Sequence, residues 1–315
     1  MGTPEIAGCL LLDKKPGITS FEALGRVKQA FATGKVGHTG TLDKFASGLL
    51  LVLVGRAVKL ASWFSGSDKQ YEGTIGFGVE TDTLDPEGAV VAYGEIPSRE
   101  ALEAALPQFR GAILQAPPAY SAIHVQGSRA SQLARSGTPV VPPKRSVSVY
   151  ALELLCYEAP YGSGCSRAYI RVHCSKGTYI RALARDIALA VGSRAHLVSL
   201  RRTRIGGLPV AEAVDPGDAA DPAQVLRESL RPIDQSILAA LGLPCLVVPP
   251  EAAQQMIQGK PLAPILTHAV SAATPILPAA VRGPVGVFST DGGLVGIITR
   301  TAEEQWSYGY VYARP

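Results

Sequence analysis

Residues Thr33 to Lys59 read TGKVGHTGTLDKFASGLLLVLVGRAVK, a glycine-rich polar loop set directly against the most apolar run in the chain. Gly34, Gly37 and Gly40 recur every third residue, and glycine lets a backbone take positive φ or approach a ligand closely. Leu49 to Val54 is short, rich in β-formers and uninterrupted, which predicts a strand buried on both faces. Asp43 stands a few residues before that strand, so a carboxylate there can be aimed from a rigid base. Gly, Thr, His and Asp are also ordinary turn formers, and the loop by itself supports either a connection or a working site.

Working outward, 315 residues suffice for a large domain plus a small one. Hydrophobic residues make up 47% and charged residues 18%, a globular balance. The apolar runs are too short to cross a bilayer, and the opening MGTPEIAG lacks the layout of a signal peptide. A soluble, cytoplasmic protein without a membrane partner is expected. Cys9, Cys156, Cys165, Cys174 and Cys245 form no C-x-x-C pair, which indicates neither a zinc site nor a disulfide framework.

The net charge of +4 is unevenly spread. Residues 167–204 carry 9 basic and 1 acidic side chains, whereas residues 205–315 carry 6 and 10. An arginine-dominated stretch suits bidentate phosphate contacts, although a basic stripe can equally be a solvated face.

Local patterns place these features on elements. Cys9 to Lys14 reads as a strand, and Thr19-Ser20-Phe21-Glu22 as a capping box opening a helix with Phe21, Leu24, Val27 and Phe31 on one face, stopped by Gly34. Arg56 to Phe64 has helical spacing, and Ser67 to Gly88 begins as a strand and ends in a turn. A helix over Ser98 to Leu106 and a strand over Arg110 to Gln115 come next. Ser146 to Tyr157 and Arg167 to Cys174 alternate like strands of a sheet covered on one side. Thr178 is placed to cap a following helix and Gly192 to end it, with Arg181 and Arg185 on its first turns. There a cation needs an anionic partner, and Asp43 is the candidate. Another helix is expected near Pro222 to Leu230. Leu246 to Pro315 reads as a separate small module: strand, helix ending at Gly259, Pro/Ala-rich stretch, and hairpin.

Five strings, taken together and in order, resemble the TruB-type tRNA pseudouridine synthases. They are D-K-K-P-G-I-T-S from Asp13, G-H-T-G-T-L-D with x-x-A-S-G-L-L from Gly37, and K-x-Y then G-x-x-T-D-T-x-D from Lys69 to Asp85. P-P-A-Y-S-A from Pro117, and C-S-K-G-T-Y-I-R from Cys174 with L-R-R-T from Leu200, complete the set. The proline of the first string is displaced by one residue, His124 stands where the family usually has lysine, and Ser131 where tyrosine is common.

The resemblance implies an α/β fold of the α+β type, with a mixed, largely antiparallel sheet in a catalytic domain over residues 1–235. A small β-rich PUA-like RNA-binding domain over 246–315 would follow. It implies Asp43 as the catalytic residue, Arg181 as its ion-pair partner, and Tyr71 as the base-stacking tyrosine, a residue that could otherwise be a half-buried strand aromatic. Tyr179 and Leu200 would line the site, and His38 would fill the gap left behind by the base or hold the RNA in its flipped form. Lys69, Lys176, Arg201 and Arg202 would contact RNA, and Lys14 is a structural or phosphate-facing residue. The RNA would lie across Arg167 to Arg204, and the substrate would be uridine-55 in the T-arm loop of tRNA.

The chemistry asked of such residues is specific. Isomerising uridine breaks the bond from N1 to C1′, turns the base, and joins C5 to C1′, with no electrons, phosphate or metal to supply. No cofactor, no metal and no protein partner are expected, and the chain is read as a monomer. No P-loop, dinucleotide fingerprint or nucleophile elbow is present in the sequence. One ionised carboxylate is needed, as nucleophile or as general base. Burial would protonate it, and an adjacent arginine opposes that. A non-catalytic RNA-binding or tRNA-folding protein remains the alternative; it would keep the arginines but have no use for Asp43 beside Arg181.

Overall fold

The computed structural model describes residues 6–121, 123–125, 128–136, 142–159, 166–217, 219–270 and 283–312. Its frame is a nine-stranded sheet. Along the main path the strands are Gly8–Lys14, Ser47–Val54, Ala195–Ile205, Lys69–Phe77, Arg167–Cys174, Arg145–Glu158 and Gly111–Gln115. Val36–His38 pairs with the second of these and Leu208–Pro209 with the third. Among the described strand pairings of this sheet only Ser47–Val54 against Ala195–Ile205 is parallel, so the sheet is mixed and largely antiparallel, as the resemblance implied.

Leu49 to Val54 are fully buried, in agreement with the reading of a two-face-buried strand. Alternate residues serve different cores: Leu50, Val52 and Val54 meet the first helix, and Leu49, Leu51 and Leu53 face the opposite side. A strand with both faces covered has no polar alternation to display. The helix Ile180–Ala190 lays Ile180, Leu183, Ala184 and Ile187 on Ile75, Ile170, Val172 and Leu197 of the sheet.

The first helix, Ser20–Ala30, carries the expected capping box, Thr19 and Glu22 each satisfying the other's backbone. Of the expected face Leu24, Val27 and Phe31 are buried in one core, and Phe21 alone departs from it. Ala23, Leu24, Val27 and Ala30 are buried, whereas Phe21 is 74% exposed. The helix also stops earlier than Gly34, because Ala32 takes the left-handed conformation at φ 46°. The helix Ile180–Ala190 is not capped by Thr178, whose hydroxyl donates to the Ser175 carbonyl; Tyr179 is its N-cap residue, and Gly192 follows the end at φ 70°.

The C-terminal sheet runs Cys245–Val248, Val285–Ser289, Leu294–Arg300 and Trp306–Val311, the first pair parallel. Read from sequence as a separate module, it shares a core with the main sheet. Phe288, Leu294, Ile297 and Tyr312 pack in one cluster with Cys9, Leu49, Leu51, Leu53 and Phe64. Residues 271–282, most of the Pro/Ala-rich stretch, lie outside the described residues. No described helix is long and apolar enough to cross a membrane.

Candidate active site

Asp43 sits on a loop held at several points by groups far away in sequence. The buried Ser20 hydroxyl accepts the Leu42 N–H at 2.9 Å and donates to the Leu42 carbonyl at 3.0 Å, pinning the residue before Asp43 to the start of the first helix. Lys14, 1% exposed, donates to the carbonyls of Lys15, Ile18 and, at 3.4 Å, Lys44. Gly17 N–H donates to the same Lys44 carbonyl. Burial lowers the Lys14 pKa to about 8, with Asp43 pulling it upward. The structural reading of Lys14 is therefore the one its surroundings match.

Arg202 is the largest strut. It is 1% exposed, and its guanidinium donates to the carbonyls of Leu49 at 2.7 Å, Gly40 at 3.1 Å and Thr41 at 3.5 Å. Expected on the RNA backbone, it instead turns inward, because the loop before the buried strand leaves carbonyls that only an internal donor can satisfy. Gly48 makes room for it: at φ 103°, a Cβ there would stand 2.3 Å from the Arg202 carbonyl oxygen.

Arg181, 5% exposed, rises from the helix Ile180–Ala190 into the space beside that loop. Its Nη2 donates to Asp43 Oδ1 at 3.1 Å and its Nε lies 2.9 Å from Oδ2 without hydrogen-bond geometry, so the ion pair expected from sequence is present and rests on one hydrogen bond. A second carboxylate, Asp85, meets Nη1 at 3.0 Å, and the carbonyls of Thr83 and Tyr120 accept at 2.7 and 3.2 Å. Asp85 is itself saturated by the Thr83 hydroxyl and the Glu87 N–H. Leu84, between them, holds φ 61°, a conformation that costs a non-glycine residue about 1–3 kcal/mol. Sequence reasoning quoted Asp85 within a string but gave it no task; the signal was a cation on a helix's first turn, which one carboxylate alone need not satisfy.

The Asp43 side chain is 38% exposed, so it faces the opening from a dry wall. Burial raises its pKa, Arg181 pulls it back, and Asp85 pushes it up again, leaving it above the usual carboxylate value. Tyr71 is half-buried on Lys69–Phe77, packed against the helix-covered core, and burial pushes its phenol up. Leu200 is 8% exposed in the same core. Tyr179 is fixed by its backbone, its N–H donating to Gln115 Oε1 at 2.8 Å and its carbonyl accepting from Nε2 at 3.1 Å. Burial raises its pKa, and the Asp43 charge adds to the effect. The structure thus gathers Asp43, Arg181 and Tyr179 and places Tyr71 and Leu200 on the same covered face of the sheet.

Other expected contacts are distributed differently. His38 is partly buried on Val36–His38, and its Nδ1 has no hydrogen-bond partner among the described residues. Burial and then the Arg202 charge lower its pKa, so the ring is neutral at neutral pH. Lys69 is 8% exposed, with Nζ donating to the Ser65 and Ser67 carbonyls and a pKa lowered by burial to about 8. Placed there, it holds a turn and does not reach out to RNA. Arg201 is half-exposed but bound bidentately to Asp13 at 3.0 and 2.7 Å. Lys176 is exposed in the turn before the helix.

The arginine-rich stretch as a whole is largely consumed internally. Arg171 pairs with Glu72 and Glu153, Arg185 with Asp186, and Arg194 with Glu80. Together with Arg181, Arg201 and Arg202, these leave Arg167, Lys176 and Arg204 as its exposed cations. An uninterrupted phosphate track from Arg167 to Arg204 is not what this charge arrangement builds. The His124 and Ser131 side chains lie outside the described residues.

Comparison with known proteins agrees with this architecture. Residues 28–180 match the TruB family pseudouridylate synthase N-terminal domain, and residues 181–238 match the tRNA pseudouridylate synthase B C-terminal domain. A tRNA pseudouridine synthase B of Caulobacter vibrioides is 39% identical over 258 residues, covering 81% of each chain. One from Borreliella burgdorferi is 46% identical over 200 residues, 63% of this chain and 70% of the relative. Among solved structures, the fold is similar to that in a Cbf5-Nop10-Gar1 complex, with TM-score 0.69, 23% identity, and coverage of 98% of this chain and 85% of the other. Across both family regions and a relative matched over most of its length, the chain belongs to the TruB family of pseudouridine synthases.

Proposed function

We propose that this protein is a tRNA pseudouridine synthase that isomerises uridine-55 in the T-arm loop, with Asp43 as its catalytic residue. The observation that carries the reading is the Asp43 carboxylate, partly open to solvent, ion-paired with and hydrogen-bonded by a buried Arg181 within a loop tied down on both sides. The curated relatives bear the name tRNA pseudouridine synthase B, which supports tRNA as the substrate.

The target uridine is stacked inside a folded RNA and must leave the stack, at a cost of a few kcal/mol as an order of magnitude. Tyr71 and Leu200 form the apolar seat for the extruded base, and stacking on an aromatic ring returns ~1–3 kcal/mol. Asp43 then acts at the sugar or the base: as nucleophile it bonds to C1′ as the N1 bond breaks, and as general base it takes a proton. The base then turns and C5 bonds to C1′, with the Asp43–C1′ ester breaking in the first case and the abstracted proton returning to the sugar in the second. C5 gives up its hydrogen as a proton and N1 takes one up, so the product is an isomer. Arg181 holds the carboxylate in one orientation and favours its charged form in a dry site. His38, neutral and one strand away, suits filling the space left by the base. The chain is read as acting alone and as a monomer.

Tritium release from tRNA labelled at uridine C5 tests the reading, with wild type and Asp43→Asn side by side. Release by the first and not the second is expected, because C5 loses its hydrogen only on becoming the glycosidic carbon. Replacing uridine-55 by cytidine should abolish release if that is the position used. No release by wild type, with tRNA still bound, would favour a non-catalytic RNA-binding protein.

A further inference from the structure

Phe21 is an exposed aromatic on the helix whose first residue is tied to the Asp43 loop. It is 74% exposed on the first turn of the helix Ser20–Ala30, and its neighbour Ser20 is locked to Leu42, the residue before Asp43. Exposing a phenyl ring at a helix start gains the fold nothing by burial. Among the described residues the ring's cation partner is Lys28, whose Nζ lies 5.3 Å from its centroid. A cation at that range is attracted to the ring face, and it covers only one side of it.

The charge around the ring identifies what would use it. Residues 14–44 carry Lys14, Lys15, Arg26, Lys28, Lys35 and Lys44 against Glu22 and Asp43. Both acids are engaged, Glu22 in the capping box and Asp43 with Arg181, but so are Lys14, buried on carbonyls, Lys15 with Asp215 and Lys44 with Glu87. The basic surrounding of the ring is thus that of its own helix, Arg26 and Lys28. An aromatic face with an ammonium beside it, in a basic surrounding, matches a nucleotide: the base stacks, and its phosphate meets the cation. A protein partner would find a single ring without a surrounding apolar patch, since the helix's other large hydrophobics are buried.

We propose that Phe21 and Lys28 form a stacking platform for an unpaired nucleotide of the substrate RNA, beside the one delivered to Asp43. The inference rests on the reading of the chain as an RNA-modifying enzyme. It would place part of the RNA grip on the first helix, whereas the arginines of residues 167–204 are mostly paired internally.

The test uses the full chain and a T-arm stem-loop RNA labelled at uridine C5, with Phe21→Ala, Phe21→Leu, Phe21→Trp and Lys28→Met. Phe21→Ala and Phe21→Leu should raise KM roughly tenfold with kcat little changed, and Phe21→Trp should restore KM. Tryptophan emission in Phe21→Trp should be quenched more by the RNA than emission of the wild type. Lys28→Met should weaken binding and lower its salt dependence by about one counterion. Equal KM for wild type and Phe21→Ala would overturn the platform while leaving the enzyme assignment standing. Recovery by leucine as well as by tryptophan would also overturn it, since apolar contact would then suffice. If wild type binds the RNA but releases no tritium, the same four variants compared by dissociation constant decide the platform separately from the reaction. If wild type does not bind the RNA, both inferences fall. Unchanged melting temperatures are expected because the ring is exposed; a large drop in Phe21→Ala would mark it as structural and also count against the platform.

Discussion

Asp85 Oδ2 lies 3.0 Å from Arg181 Nη1, so the arginine that grips Asp43 is held from behind by a second, buried carboxylate. The two acids stand on opposite sides of one guanidinium, and only Asp43 reaches the opening. Arg181→Lys should therefore lose more than a charge, because an ammonium cannot serve two carboxylates and two carbonyls in the plane of a fork. We expect single-turnover tritium release to fall at least 100-fold and the melting temperature to drop. Asp85→Asn should slow turnover by about 10–100-fold, the equivalent of losing one charge-assisted bond of ~1.5–3 kcal/mol. Near-normal rates in both would show that the guanidinium plane is dispensable.

The pH dependence has a defined sign. An acid whose folded-state pKa is raised is ionised only at higher pH, and Asp43 is raised above its ordinary 3.8 by burial, with Arg181 opposing and Asp85 adding. If the carboxylate is the working form, kcat falls as pH drops through that raised value. The acid limb of the kcat profile should lie above the ordinary carboxylate range. Arg181→Gln removes the opposing pull and should move the limb further up. Stability runs the other way: the ionised Asp43 costs stability above its unfolded-state pKa, and protonation on acidification removes the cost. A limb at or below 3.8 would show that the pull of Arg181 outweighs burial at Asp43.

Arg202 offers a test of strut against phosphate contact. Arg202→Met leaves the carbonyls of Leu49 and Gly40 buried without their donor, at about 1–3 kcal/mol for each group stranded. A clear fall in melting temperature is expected, together with slower catalysis as the Asp43 loop loosens. The salt slope of tRNA binding should be unchanged among molecules that remain folded. A slope reduced by about one, with normal stability, would return Arg202 to the RNA backbone.

Truncation should not behave as the removal of an independent binding module. Phe288, Leu294, Ile297 and Tyr312 lie in the same core as Leu49, Leu51, Leu53 and Phe64, and Arg56 stacks 4.7 Å from the Tyr312 ring. Deleting residues 246–315 exposes that face of the buried strand. Aggregation or a much lower melting temperature should precede any clean loss of tRNA affinity. A truncated chain with wild-type stability would mean that the shared core contributes little.

Much of this protein was legible along the chain because its signals are local. A run of six apolar β-formers can only be a buried strand, Thr19 and Glu22 satisfy each other across three residues, and the Asp43 loop with its glycines announces an aimed carboxylate. The pairing of Arg181 with Asp43 was also within reach, since a cation on a helix's first turn needs an anion. What tertiary structure alone decided is which way the charges point. Arg202 and Lys69 look in sequence like cations for RNA, yet both are bound to carbonyls that lie inside the fold, and Arg201 is claimed by Asp13 from the far end of the chain. Asp85 and Ser20 acquired their tasks only when a helix and a loop distant in sequence were brought together in each case. Charge is written in the sequence, but its destination depends on which unsatisfied partner folding places within 3 Å, and that is a property of packing.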